Sequence, residues 1–309
     1  MRIKLGVHTG PQDLQMDELK RVWARADEAG FHWISVWDHF YANPLNQRTD
    51  PCFEAVASMA AVAALTSNVR IGCLVFCTLF RNPGLLAKAA VTIDHISNGR
   101  CELGLGGGWF EEEFREFGYG FPPIKERLDQ MEEAVQVIKS LLEDPVTNFK
   151  GKYYDMQGAV CGPKPIQDKL PIWIGGQGPR RTPRMAAQYA DGYNLPYVTP
   201  EVFKQRMEQI DAACDKFGRD PASITRSVNL HFNMGADEAG AAAGRQRLER
   251  FDESLRLGAL TGTPSEVIDR IGAYIESGAD GLNIAFRPPV DWEAYEAYIE
   301  EVLPVFHTS

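Results

Sequence analysis

Short apolar segments alternate with longer amphipathic segments along almost the whole chain. Eight of the short segments are rich in Val, Ile and Leu and have the length of buried strands. They lie at residues 3–7, 33–37, 69–76, 101–106, 171–176, 192–196, 224–233 and 281–286. Because segments of helical periodicity separate them, the pattern predicts repeated β/α units.

The helical segments are bounded by residues that favour helix ends. Apolar residues recur at helical spacing in residues 17–29, 54–65, 83–96, 125–142, a segment ending near 190, 200–217, 237–257, 263–278 and the C-terminal segment. We expect Gly30 to end the first helix, Pro83 to begin the third, and Thr263 to cap a later one. Within residues 148–156, a glycine between aromatic and polar residues predicts a small inserted hairpin.

Eight β/α units predict a single (β/α)8 TIM barrel with insertion segments, extending over residues 1–309. A doubly wound α/β sheet alternates in the same way but more often has five or six strands. No linker-like or low-complexity segment divides the chain. The barrel is therefore the expected fold.

Charge and composition exclude several classes of partner. The 309 residues carry a formal net charge of −10, so we expect neither nucleic acid nor an anionic membrane as a partner. No stretch approaches the roughly 18–20 apolar residues of a membrane span, and the first ten residues indicate a strand and not a signal peptide. We therefore expect a cytoplasmic protein with reduced cysteines and, from the spacing of His, Cys, Asp and Glu, no metal site.

Polar or glycine residues stand at the ends of most of the predicted strands. Barrel enzymes place their chemistry at the C-terminal ends of the strands, so these residues should meet at one mouth. They are His8, Thr9, Asp38, His39, Cys77, Thr78, residues 106–109 and 175–177, Asn194, His231, Asn233 and Arg287. The pattern indicates a small-molecule site with several hydrogen-bonding groups and room for a flat ligand.

His39 is the strand-end residue best suited to move a proton near neutral pH. Asp38 precedes it, but adjacent residues of a strand point to opposite faces, so a direct Asp38–His39 relay is not expected. The alternative is a histidine that caps the turn.

Two glycine-rich segments follow predicted strands. Gly104, Gly106 and Gly108 lack the spacing of a dinucleotide fingerprint and lead into three glutamates, so we expect close approach to a flat ring with Trp109 as one wall. The alternative is a tight turn with a core tryptophan. Residues 174–184 enter a helix with three arginines, which predicts a phosphate site at its N-terminus; the alternative is a solvated basic helix start.

Several ordered segments resemble the luciferase-like monooxygenase superfamily, and more closely its coenzyme F420-dependent oxidoreductases. They read AGFHWISVWDHF, the R-x-P…LAK…D…S-x-GR-x-x-LG-x-G-x-GW block between residues 81 and 109, FKGKYYDM, and PIWIGGQGPRRTPRMAAQYADGYN. The resemblance covers almost the whole chain and is weakest in residues 237–257. The motif block is specific for the superfamily, but it is much less specific for the choice of cofactor within the superfamily.

The resemblance implies a reduced flavin or deazaflavin in the mouth of a barrel. It implies a cis peptide at Cys73–Leu74 against the ring, and His39 as the active-site histidine. It places Asp38, Trp109 and Glu113 near ring or substrate. The further residues expected to contact the cofactor are Thr78, Gly107, Gly175, Gly176, Gln177, Gly178, Arg180, Arg181 and Asn194. Trp109 and Glu112 stand where some F420 enzymes have Glu or Asn, which leaves the proton donor open between His39 and Glu112 or Glu113.

The expected activity is hydride transfer between coenzyme F420 and a small organic substrate. Arg180, Arg181 and Arg184 suit the long anionic tail of F420, although they could also bind the single phosphate of FMN. We expect His8, Trp109 and Arg287 on the substrate side. For Arg287, an anchor for an anionic group and a surface ion pair are the two alternatives. The alternatives are an FMNH2-dependent two-component monooxygenase, which would need a flavin reductase as partner, and a non-catalytic flavin-binding protein. The family also implies a homodimer.

Overall fold

The computed structural model describes residues 3–42, 49–251 and 253–306, except for the side chains of 254 and 255. Its strands are β1 (Lys4–His8), β2 (Trp33–Val36), β3 (Arg70–Cys77), β4 (Cys101–Gly106), β5 (Thr147–Lys150), β6 (Asp155–Ala159), β7 (Ile172–Gly175), β8 (Gly192–Pro196), β9 (Thr225–Met234), β10 (Ala259–Gly262) and β11 (Gly281–Ala285).

Helices follow most of the strands. They are α1 (Met16–Ala29), α2 (Ala55–Leu65), α3 (Pro83–Ile96), α4 (Glu111–Glu116), α5 (Ile124–Glu143), α6 (Arg181–Tyr189), α7 (Pro200–Phe217), α8 (Glu238–Leu248), α9 (Glu253–Leu257), α10 (Pro264–Glu276), α11 (Trp292–Ala297) and α12 (Leu303–Phe306). A 3-10 turn at Pro221–Ser223 precedes β9, and a π-helical turn at Tyr298–Val302 joins α11 to α12. None of the helices in these ranges is long and apolar enough to cross a membrane.

Eight parallel strands close into a barrel, which confirms the predicted (β/α)8 TIM fold. The order is β1, β2, β3, β4, β7, β8, β9 and β11, and β11 pairs again with β1. All eight predicted strands are present with small shifts of their ends. The extent of the domain, residues 1–309, stays a prediction.

The local signals for helix ends act as expected. Gly30 ends α1 in the left-handed region, with φ of 82°. Asn82 caps α3 by accepting a hydrogen bond from the Gly84 N–H, and Pro83 occupies the first turn. At α10 the Glu266 carboxylate accepts a hydrogen bond from the Thr263 N–H at 2.8 Å.

The remaining elements agree with the sequence pattern in part. The expected hairpin is present as β5 and β6, which pair antiparallel. The segment predicted as one helix over residues 237–257 contains two helices, α8 and α9, with residue 252 outside the described ranges. Strand β10 was missed. It pairs with the last four residues of β9, which extend beyond the barrel. The segment is short and has little alternation of apolar and polar residues, so its conformation depends on this tertiary pairing.

The barrel interior contains an aromatic cluster and a polar network. Trp33 and Trp173 stack with ring centroids 5.0 Å apart, and Leu74 packs with them. On another side of the interior, the Asn194 and Asn283 side-chain amides both donate hydrogen bonds to the Asn229 side-chain oxygen, at 3.1 and 2.9 Å. We call this buried network of the barrel interior the polar floor.

Candidate active site

His39 and Glu113 form a hydrogen-bonded pair at the barrel mouth. His39 follows β2, and the short helix α4 brings Glu113 to it, so that Nδ1 and Oε2 lie 2.8 Å apart. The other carboxylate oxygen accepts hydrogen bonds from the backbone N–H groups of Phe40 and Tyr41, at 2.8 and 2.9 Å. Glu113 is 1% exposed. The pair fixes the imidazole and leaves Nε2 as the nitrogen available for chemistry.

Trp109 stands beside this pair as a wall of the mouth. Its ring lies edge-on to the His39 ring, with centroids 5.5 Å apart, and stacks on Phe110. At 59% exposure Trp109 is not a core residue, so the alternative of a core tryptophan is wrong. An exposed indole beside the imidazole provides a flat apolar surface for a ligand.

Asp38 points away from His39 and has different partners. The Arg81 guanidinium donates to both of its oxygens, at 2.6 and 2.7 Å, and the Cys77 N–H donates at 2.9 Å. Burial alone lowers the pKa of Arg81, but hydrogen bonds and charge from Asp38 and Glu54 raise it above its usual value. Asp38 therefore ties β2 to β3 and the segment after it, and the expectation that it forms no relay with His39 agrees with this geometry. Its predicted catalytic role stays a prediction.

Arg81 belongs to this site through Asp38, and no role was predicted for it from the sequence. It stands in the R-x-P segment that carries the family resemblance, so a signal existed, but its partner Asp38 is 43 residues away.

The cis peptide of β3 is Leu74–Val75, so the predicted position, Cys73–Leu74, is wrong by one residue. The register between β3 and β4 shifts between Cys73 and Phe76, which places the irregularity at this bond. Because the residues of β3 around this bond are continuously apolar, the sequence does not indicate which of two adjacent peptide bonds is cis. Cys73 packs in the core between the barrel and the helices, and burial raises the pKa of its thiol well above the usual value.

The glycines of β4 and β7 make room for the side chain of Val75. A Cβ on Gly106 would lie 2.3 Å from the Val75 Cγ2, and one on Gly175 would lie 2.5 Å from its Cγ1. A Cβ on Gly104 would lie 2.1 Å from the carbonyl oxygen of Cys73. The interpretation of the β4 glycines as space for a ring is therefore corrected at Gly104 and Gly106, because the irregular part of β3 occupies that space.

Three predicted cofactor contacts lie on the rim or beneath it. The Thr78 hydroxyl donates a hydrogen bond to the Gly106 carbonyl oxygen at 3.2 Å, and the side chain is buried. Gly107 is half-buried, and a Cβ there would lie 3.2 Å from Leu128. Asn194 belongs to the polar floor. Thr78 and Asn194 thus have protein partners, and their contact with a cofactor stays a prediction.

The loop between β7 and α6 turns its carbonyl groups toward the protein. The Tyr193 hydroxyl donates to the Gly176 carbonyl oxygen at 2.6 Å, and the Thr182 hydroxyl donates to that of Gly178 at 2.7 Å. Gln177 donates to the Pro196 carbonyl oxygen. Helix α6 has neither a side-chain cap nor an acidic residue in its first turn. Its N-terminus can therefore receive an anion.

The three arginines of this segment are not equivalent. Arg181 donates to Asp129 at 2.5 Å and to Glu132 at 2.9 Å, both on α5, and Arg184 also pairs with Glu132. Arg180 is exposed, and its guanidinium has no ion pair with the residues that the structure describes. Arg180 can thus bind an anion without breaking an ion pair to a carboxylate. The predicted contact between Arg181 and the cofactor stays a prediction.

A second cluster lies on the β1 and β9 side of the mouth. The Arg287 guanidinium lies 5.2 Å from the Trp37 ring centroid and 5.9 Å from that of Tyr197. His8 packs on Trp37, and its Nδ1 lies 2.7 Å from the Ser35 hydroxyl. Burial, and then the charge of Arg287, lower the pKa of His8 to about 3. His8 is therefore a neutral hydrogen-bonding group at physiological pH.

A cavity of about 500 Å³ opens at the opposite, N-terminal end of the barrel, where Arg70 pairs with Glu102. Barrel enzymes carry their chemistry at the other end. The described residues hold no group of three or more His, Cys, Asp or Glu arranged for a metal ion. The mouth with the His39–Glu113 pair is therefore the candidate active site.

Residues 1–251 match the family model of the luciferase-like monooxygenases. The chain belongs to this family. The predicted resemblance to the luciferase-like family and its F420-dependent branch is confirmed.

Similar proteins of the luciferase-like family include F420-dependent enzymes. The chain is 26% identical to an F420-dependent glucose-6-phosphate dehydrogenase of Amycolatopsis mediterranei, over 98% of each chain. It is 28% identical to a 5,10-methylenetetrahydromethanopterin reductase of Archaeoglobus fulgidus, over 99% of this chain and 86% of the other. The structure of an F420-dependent secondary alcohol dehydrogenase in complex with an F420-acetone adduct aligns over 100% of both chains, with a TM-score of 0.88 and 21% identity. That structural likeness supports the luciferase-like barrel fold.

Proposed function

We propose that this protein is an F420-dependent oxidoreductase that transfers a hydride between coenzyme F420 and a small organic substrate. The observation that carries the proposal is the His39–Glu113 pair, which lies beside the exposed Trp109 at the mouth of the barrel. The F420-dependent relatives, similar over nearly the full length of the chain, support the same cofactor.

The residues of the mouth fit a cofactor with a flat ring and an anionic tail. The uncapped N-terminus of α6, which lacks acidic residues in its first turn, fits a phosphate group, and the exposed Arg180 adds a positive charge. The ring would be held by Gly107, by Trp109 and by residues next to the Leu74–Val75 peptide. When bound, F420 supplies a carbon centre that accepts or releases a hydride.

The residues of this chain then handle the proton and the orientation. His39 exchanges a proton with the substrate through Nε2, because Nδ1 is held by Glu113. Glu113 positions the ring and the turn that carries it. Asp38 and Arg81 brace that turn from the other side. On the substrate side, the proposal assigns contacts to His8, Trp109 and Arg287.

One observation favours the FMN alternative. Because Arg181 and Arg184 are paired with α5, the loop offers one unpaired arginine, Arg180, among the described residues of this segment. A single cation at a helix N-terminus suits the one terminal phosphate of FMN as well as the first phosphate of a longer tail. A two-component monooxygenase that receives FMNH2 from a flavin reductase is therefore the second candidate. The homodimer stays a prediction.

The test is a titration of the purified protein with F420 and, separately, with FMN, each followed by cofactor fluorescence. We expect F420 to bind, and F420H2 to be oxidised when small carbonyl acceptors are added. Micromolar FMN binding without F420 binding would replace the proposal with the monooxygenase. Binding of F420 without turnover of any acceptor would favour a binding protein.

A pair of variants tests the role of His39. His39→Ala should lose turnover while F420 binding is retained. His95→Ala is the matched control, because His95 is an exposed histidine on α3 whose Nε2 contacts the Lys164 carbonyl oxygen. Undiminished turnover of His39→Ala would remove this residue from the mechanism.

A further inference from the structure

His231 is a buried histidine whose ring nitrogens have no hydrogen-bond partner among the described residues. It differs in this respect from His8, which contacts Ser35, and from His39, which contacts Glu113. Buried polar atoms without a partner are rare because their desolvation is not compensated. At a barrel mouth, such atoms indicate a side chain whose missing hydrogen bonds a bound ligand supplies.

The position of His231 places it on the inner side of the mouth. Alternate residues of a strand share one face, and Ser227 and Asn229 of β9 join Asn194 in the polar network of the barrel interior. His231 continues this row toward the C-terminal end of β9. It pairs in register with Ala285 of β11, two residues before Arg287.

Tyr197 holds the His231 ring in place. The two rings are nearly parallel, at 6°, with centroids 3.9 Å apart. Tyr197 has φ of 52°, a left-handed conformation that is unfavourable for an aromatic residue. Gly258 packs against its backbone so closely that a Cβ there would lie 2.2 Å from the Tyr197 carbonyl carbon. The surroundings therefore fix this tyrosine against the imidazole.

The chemistry of the cluster points to a carboxylate. Burial, and then the charges of Arg287 and His8, lower the pKa of His231 well below its ordinary value, so the ring is neutral with one N–H donor. The Asn233 side-chain amide, two residues further along the same row, is also buried without a partner among the described residues. Neutral N–H donors beside the positive charge of Arg287 suit a monoanion better than a phosphate dianion.

We propose that His231 is a specificity-determining residue that hydrogen-bonds a carboxylate of the substrate beside Arg287. The proposal rests on the proposed function, because it assigns a substrate class to the same mouth.

Three probes with one benzyl body test it: phenylacetate, phenylacetamide and benzyl phosphate. Each is titrated calorimetrically into the purified protein, with and without F420. We expect phenylacetate to bind most tightly, and His231→Phe to weaken it about tenfold, which corresponds to one hydrogen bond to a charged group. Equal phenylacetate affinity of wild type and His231→Phe would overturn the proposal, as would tighter binding of benzyl phosphate or of phenylacetamide.

The variant is designed to fold. Phenylalanine preserves the stack on Tyr197 and removes both unpartnered nitrogens, so its melting temperature should equal or exceed that of the wild type. Ser58→Ala is the control, because it removes another buried hydroxyl without a described partner, on α2. It should leave phenylacetate binding unchanged, and an equal loss in both variants would contradict a local role of His231.

The F420 titration separates the two proposals. If F420 binds and carboxylate preference is absent, this inference alone fails. If carboxylate preference depends on His231 but F420 does not bind, the substrate inference holds and the cofactor proposal fails.

Discussion

The Glu113 carboxylate holds His39 by one oxygen and the backbone of the next two residues by the other. The Nδ1–Oε2 distance is 2.8 Å, and Oε1 accepts the N–H groups of Phe40 and Tyr41. A carboxylate accepts hydrogen bonds, so Nδ1 carries the hydrogen and Nε2 presents a lone pair. This arrangement fixes the tautomer that a proton acceptor at the mouth requires.

Glu113→Gln should reverse this tautomer. The glutamine oxygen can still accept from Phe40 and Tyr41, but its amide group then donates to Nδ1 and the hydrogen moves to Nε2. We expect turnover to fall about a hundredfold, within the range of general acid–base catalysis, with little loss of F420 affinity. The measurement is the pH–rate profile, whose shape should differ from that of the wild type.

The matched control is Glu111→Gln on the same helix. Glu111 is exposed and pairs with Arg115, so its loss should leave the profile unchanged. A Glu113→Gln protein with wild-type turnover and profile would show that Glu113 has only a structural role.

Arg180 and Arg184 should differ in their effect on cofactor binding. Arg180→Gln removes the exposed charge at the start of α6, and we expect the F420 dissociation constant to rise about tenfold, less at high salt. Arg184→Gln removes a residue already paired with Glu132, so affinity should change little. Fluorescence titrations at two ionic strengths measure both. Equal losses would indicate that the tail displaces Glu132.

The barrel fold and the position of His39 at its mouth could be predicted because both rest on local signals. Strand and helix periods are properties of short windows, and the end of a buried strand marks the mouth wherever the strand lies in the barrel. Strand β10 has no such window, because its conformation depends on the overhanging end of β9.

The partners of the site residues could not be predicted because they are distant in the chain. Glu113 lies 74 residues after His39, and Arg181 is paired by α5 residues that the barrel brings beside α6. The glycines of β4 show that space exists at a position but not what fills it. Here the Cys73 carbonyl oxygen fills the space at Gly104, and the Val75 side chain fills it at Gly106.

Loss of the Asp38–Arg81 pair should destabilise the fold. Both side chains are largely buried, and removing Asp38 leaves the Arg81 guanidinium with Glu54, a half-exposed carboxylate, as its remaining ion-pair partner among the described residues. We expect Asp38→Ala to lower the free energy of unfolding by about 3 kcal/mol, measured by urea denaturation. The double variant with Arg81→Ala should lose less than the sum of the two single variants. Strict additivity would contradict a direct interaction.

Gly106→Ala should clash with Val75. A Cβ at this position would lie 2.3 Å from Cγ2, so we expect a loss of about 2 kcal/mol in the free energy of unfolding. Val75→Ala in the same chain removes the clashing methyl and should restore part of the loss. Gly272→Ala is the control, because it lies within α10 in open space and should stabilise by about 0.5–1 kcal/mol. Failure of Val75→Ala to compensate would place the clash elsewhere.

Because of His8, the free energy of unfolding should decrease as the pH is lowered from 6.5 to 5. In the unfolded chain its ring titrates near 6.5, whereas in the folded state burial and Arg287 lower its pKa to about 3. Within this window the unfolded state binds a proton that the folded state does not. Stability therefore rises with pH and decreases as pH falls, by up to about 1.4 kcal/mol per pH unit for each such ring.

Urea denaturation of His8→Asn at pH 6.5, 6 and 5 isolates this contribution. Asparagine can retain the contact with Ser35 but has no ionisable group, so the slope of stability with pH should be smaller than in the wild type. The pKa of His231 is lowered in the same direction, and His231→Phe should reduce the slope similarly. Carboxyl groups such as Asp27 and Glu296, whose pKa values are lowered in the fold, contribute mainly below this window. An unchanged slope in His8→Asn would show that His8 is protonated in the folded protein.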